Sequence, residues 1–138
     1  MYLNKTQIKE LCKELLDDFE RVLSWKWDSG FNALVAEFST DKQDEVRTVL
    51  ERHLGFKWDS RSIRKAPEQI KTKSGDLGDL RDNQLLFTTD PEGNVLIFAA
   101  WWPWGNGEVV SVRITSPSSG EQPAEAQGIL SKIQSFFG

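Results

Sequence analysis

The chain has 138 residues, a net charge of −4 and a pI near 5.1. That length suits one domain with a core of its own, and 38% hydrophobic with 28% charged residues is a globular rather than a disordered balance. The acidic charge argues against a nucleic-acid partner. One cysteine, Cys12, excludes an intramolecular disulfide and fits a reducing, cytoplasmic setting. Residues 1–14 carry polar groups every few positions and do not read as a signal peptide, and no apolar run nears the roughly 20 residues of a membrane span.

In chain order, Ile8, Leu11, Cys12, Leu15, Leu16, Phe19, Val22 and Leu23 follow the spacing of one buried helix face, which Asn4 or Thr6 can cap. Residues 25–27 read as a short strand, 28–30 as a turn and 31–38 as a second strand. Asp41 is placed to cap a second helix with Val46, Val49, Leu50 and Leu54 as its stripe, and Gly55 stands where a cap glycine ends it. Residues 56–58 read as another short strand. From 59 to 83 the pattern fades into a basic loop with Arg61, Arg64, Lys65, Lys71 and Lys73, holding at most a short helix at 67–71.

Strands follow at 85–89, 95–102 and 109–115, joined by turns at 90–94 and at Asn106-Gly107, the latter a strong hairpin signal. Val110, Val112 and Ile114 alternate with Ser111, Arg113 and Thr115. Pro123 opens a last helix with the stripe Ala126, Ile129, Leu130, Ile133 and Phe136 or Phe137. These elements predict a single α+β domain over 1–138. It has two layers: a mainly antiparallel sheet of about five strands, with about three helices mostly on one face.

The sequence also echoes itself. Residues 19–29, FERVLSWKWDS, match residues 50–60, LERHLGFKWDS, at seven of eleven positions. Because rare tryptophans, Trp27 and Trp58, coincide, a helix–strand duplication at 10–29 and 41–60 is the favoured explanation. It predicts that Trp27 and Trp58 hold equivalent places in one core.

No catalytic constellation rises above a structural explanation. His53 is the only histidine and lies at the edge of a helix stripe, so no two-histidine metal site can form. Cys12 lies inside a stripe and reads as a small core hydrophobe rather than a partner of His53. Asp76, Asp79 and Asp82 lack the spacing of a calcium loop. Asp28 and Asp59 each precede Ser and read as strand-closing turn residues. The sequence implies no cofactor and no metal.

The sharpest local feature is Trp101-Trp102-Pro103-Trp104. Strand alternation sends Trp101 with Ile97 and Ala99 to one face and Trp102 with Phe98 and Ala100 to the other. A single helix layer buries only one of the two, and Pro103, lacking a donor, is expected to break the pairing there. One of the pair, with Trp104 at the hairpin tip, is expected to stay accessible. The functional expectation is therefore a non-catalytic, non-enzymatic module of adaptor or inhibitor type. It would bind another protein or its own copy through Trp101, Trp102, Trp104, Trp27 and Trp58. A small-ligand or enzyme pocket built from Trp27, Trp58, Trp101 and the basic loop is the alternative. Single-stranded nucleic-acid binding by tryptophan stacking is the third.

Overall fold

The computed structural model describes residues 3–117, so the expected final helix at 123–137 lies outside the described residues. Helices α1 (Lys5–Leu11) and α2 (Lys13–Asp18) open the chain. Asn4 settles the capping question: its Oδ1 accepts from the Gln7 amide and Gln7 Oε1 accepts from the Asn4 amide, both at 2.9 Å. The single expected helix bends at Cys12, where φ is −103°. The hydrogen-bond ladder runs through the bend, from Cys12 N to the Ile8 carbonyl and from Leu16 N to the Cys12 carbonyl.

Then come β1 (Lys26–Asp28), β2 (Ala33–Ser39), α3 (Gln43–His53) and β3 (Phe56–Trp58). Asp41 does not cap α3. It lies in a 3-10 turn, Thr40–Lys42, and its own amide donates to the Ser39 hydroxyl. Gly55 does not take the left-handed conformation, and α3 ends with Leu54 N on the Leu50 carbonyl. The short helix expected at 67–71 is present as α4 (Glu68–Lys73), and the rest of the expected loop also holds two 3-10 turns, Ser62–Lys65 and Gly75–Gly78. Strands β4 (Leu85–Thr88), β5 (Phe98–Pro103) and β6 (Val109–Thr115) complete the described chain.

The fold is α+β, with six antiparallel strands in the order β1-β2-β6-β5-β4-β3. The late hairpin β5–β6 fills the centre, with the β1–β2 hairpin on one side and the pair β4–β3, joined through the 59–84 segment, on the other. The edge strands β1 and β3 have three residues each, with Lys26 and Lys57 in them. Short, charged edges discourage pairing with other chains.

One face of the sheet packs against α1, α2 and α3. Leu34, Ala36, Phe38, Phe87, Trp101 and Val112 meet Ile8, Leu15, Phe19, Val46 and Leu50 there. The opposite face is not left bare, as the count of helices had implied. Ile63, Ala66, Ile70 and Leu77 of the 61–80 segment cover Leu86, Phe98 and Ala100 on β4 and β5. The remaining half of that face, on β6, β2 and β1, has no helix over it among the described residues: Lys26 and Glu37 are exposed there, Val35 and Arg113 half-buried, and Ser111 and Thr115 buried. Register places Lys26, Val35 and Arg113 in one cross-strand row and Glu37 and Ser111 in the next. Among the described residues no helix is long and apolar enough to cross a membrane.

The two echoed segments both lead from a helix end into an edge strand, so they share their place in the topology. They do not share a core. Trp27 pairs with Leu34 and packs on the helix face, whereas Trp58 pairs with Leu86 and packs beneath the 61–80 segment. In a three-residue strand the facing is dictated by the hairpin partner, and a one-residue change of register reverses it.

Candidate functional site

The five tryptophans singled out in the sequence divide between the faces. Trp101 is 3% exposed and makes edge-on contacts with Phe38 and Phe87, at centroid distances of 5.6 and 6.2 Å. The Arg47 guanidinium lies 5.5 Å above its ring. Trp27 packs against the same core. Trp58 and Trp102 lie on the other face, half-buried, with Trp58 Nε1 donating to Thr88 Oγ1 at 3.1 Å. Trp27 and Trp101 therefore cannot line one pocket with Trp58, which removes the geometry of the expected aromatic ligand pocket.

Trp104 is different. It is 44% exposed, and its amide donates to the Val109 carbonyl at 2.8 Å. The ladder thus runs past Pro103, which still sits opposite Val110, so the expected break does not occur on the β6 side. On the β4 side the last pair is Leu85 with Trp101. Proline is tolerated because no strand waits there for its missing donor. Gly107, at φ +74°, closes the tip with its amide on the Trp104 carbonyl. Alternation along β5 continues to Trp104, on the Trp102 side of the sheet.

Behind Trp104 lies a cluster that sequence reasoning missed. Arg113 projects from β6 with its guanidinium 4.6 Å from the Trp102 ring and 5.2 Å from the Phe31 ring. Phe31 and Trp102 meet edge-on at 5.3 Å. Arg113 Nε donates to Asp28 Oδ2 at 3.0 Å and its Nη1 to Ser111 Oγ at 3.1 Å. Asp28 Oδ1 also accepts from the Gly30 amide. Partial burial works to raise the Asp28 pKa, but the Arg113 and Gly30 hydrogen bonds outweigh it and hold the carboxyl below its ordinary value. Only a short echo-derived Asp-Ser and a lone strand arginine stood in the sequence, and nothing in their spacing announced the pair.

Of the other candidates, Asp28 and Asp59 separate, whereas Cys12 and His53 line one cavity. Asp59 sits at the far edge of the sheet and accepts from the Arg61 and Ser62 amides, which lower its pKa. It never faces Asp28. His53 Nε2 bonds Asp18 Oδ2 at 2.6 Å, tying the end of α3 to the end of α2, and this bond leads in holding the Asp18 carboxyl down. Cys12 is buried, and desolvation pushes its thiol up to about 12, so it is a protonated core group and no nucleophile near neutrality. Among the described residues no three His, Cys, Asp or Glu side chains stand close enough to hold a metal.

No protein-family model, no curated protein and no solved structure matches this chain.

Proposed function

We propose that the protein is a non-catalytic binding module that engages another protein, or its own copy, through the Trp104 end of the open sheet face. The exposure of Trp104 carries this reading. An indole left in water forgoes roughly 2 kcal/mol of burial, and a hairpin tip that keeps one is suited to anchor a partner. The other exposed large apolar side chain among the described residues, Phe56, is at the opposite end of the sheet, on edge strand β3. Trp104 instead adjoins half-buried Val109 and Trp102.

Two features weigh against the other readings. Stacking on bases or sugars needs free ring faces, yet Trp102 is engaged by Arg113 and Phe31, leaving Trp104 by itself. Thiol chemistry needs a thiolate, yet the Cys12 thiol is buried and held protonated. The test is affinity capture from native lysate with wild-type and Trp104→Ala baits, alongside sedimentation velocity of each chain alone. The reading expects a retained partner, or a dimer, that the variant loses. Equal capture and equal sedimentation by both chains would reject it.

A further inference from the structure

Arg113 is held unusually firmly for a side chain on an open sheet face. Two aromatic rings, set edge-on to each other, lie against its guanidinium, Asp28 fixes Nε and Ser111 fixes Nη1. Five N–H donors belong to a guanidinium, and these two contacts use only part of them. The Nη2 edge makes no hydrogen bond to another described residue, and the side chain as a whole is 18% exposed. The result is a preorganised cation whose ordering entropy has already been spent.

Its surroundings give the open face a charge pattern. Lys26 is exposed, joins none of the ion pairs among the described residues and shares a cross-strand row with Arg113, with half-buried Val35 between them. At the usual strand spacing the two cations' backbones stand about 10 Å apart. Asp28 lies one row to one side and exposed Glu37 one row to the other. The Asp28 carboxylate is engaged by Arg113, and Glu37 points into water. The place over Val35, flanked by Lys26 and the free Arg113 edge, is where an incoming carboxylate finds two cations and an apolar floor. Trp104, opposite Val109, is four residues along β6 from Arg113, or about 14 Å.

We propose that the partner presents a carboxylate to the Lys26–Arg113 row and an apolar side chain to Trp104, on a stretch of chain about four or five extended residues long. This rests on the protein-binding reading and names the chemistry the partner must carry. A second copy of the same face does not meet that need. Its single cationic row is bordered on both sides by acids, so an aligned antiparallel pairing would set like charges together.

The test uses the intact chain and two N-acetylated, amidated pentapeptide probes, Leu-Ser-Ser-Ser-Glu and Leu-Ser-Ser-Ser-Gln, in NMR titrations. The glutamate peptide is expected to shift Lys26, Val35, Arg113 and Trp104 signals saturably, and the glutamine peptide to bind about tenfold more weakly. Lys26→Glu should weaken the glutamate peptide by roughly tenfold, restore no affinity for the glutamine peptide, and leave the Tm unchanged because Lys26 is exposed. Rising salt should erase the difference between the peptides. Equal binding of the two peptides, or shifts that Lys26→Glu leaves untouched, would overturn the inference. If Trp104→Ala abolishes capture of a natural partner while Lys26→Glu does not, the binding module stands and its carboxylate chemistry falls. If neither matters, both fall.

Discussion

The two faces of the sheet solve the burial problem in opposite ways. Under α1, α2 and α3 the inward residues of β2, β6, β5 and β4 are apolar, and Trp101 disappears among Phe38, Phe87 and the helices. On the other side, the 61–80 segment covers β4 and β5, and the β6-β2-β1 half keeps charged side chains, among them an arginine held by Asp28 beside two aromatic rings. Adjacent residues of one strand, Trp101 and Trp102, thus belong to different worlds. The difference separates what holds the fold from what is offered to a partner.

Breaking the covered face should cost most. Trp101→Ala deletes a fully enclosed aromatic and should destabilise by about 3–5 kcal/mol, read from urea denaturation. Arg113→Ala should cost less, about 2 kcal/mol, because the ion pair with Asp28 and the ring contacts are only partly shielded from water. If the Arg113 cluster contributes nothing to stability, the open face is less built than described. The double change of Trp102→Ala and Trp104→Ala is therefore a poor probe of binding, since Trp102 belongs to that cluster, and Trp104→Ala alone is the clean one. Its effect on stability should stay below about 0.5 kcal/mol.

Cys12→Ala should cost on the order of 1 kcal/mol and leave binding intact. It should also change the alkaline limb of the stability curve. The folded thiol is pushed up to about 12 from an ordinary 9.0, so between these values the unfolded chain releases a proton that the folded chain keeps. Wild-type stability must fall as pH rises above about 9, and the variant should lack that contribution. The smallest effect concerns Asp18, which is exposed. Its carboxyl is lowered chiefly by the His53 hydrogen bond, so its contribution is present at neutral pH and is lost as pH falls through the carboxylate range. Asp18→Asn should flatten the acid limb of Tm against pH. An unchanged limb would show that the α2–α3 tie adds no stability.

The regular part of this architecture was legible in the sequence. Alternation over 109–115 separated Val110, Val112 and Ile114 from Ser111, Arg113 and Thr115, and the same rule sorted Trp101 from Trp102. Asn106-Gly107 marked its hairpin. The cover over β4 and β5 was not legible because each of its elements is under two turns long. Ile63, Ala66, Ile70 and Leu77 keep helical spacing, i, i+3, i+7 and i+14, yet fall in three separate short pieces rather than one helix. The echo misled for a related reason. Seven shared residues could place Trp27 and Trp58 in matching edge strands, but their facing was set by partners far along the chain, Leu34 and Leu86. The Arg113–Asp28 pair joins residues 85 apart, and only the β1-β2-β6 register brings them together.

Hydrogen–deuterium exchange on the chain with and without its captured partner, or above and below its self-association range, tests the central claim most directly. The account predicts added protection in residues 102–111 and 33–39, with α1, α2 and α3 unchanged. Protection confined to those helices, with the Trp104 hairpin exchanging as in the free chain, would contradict it.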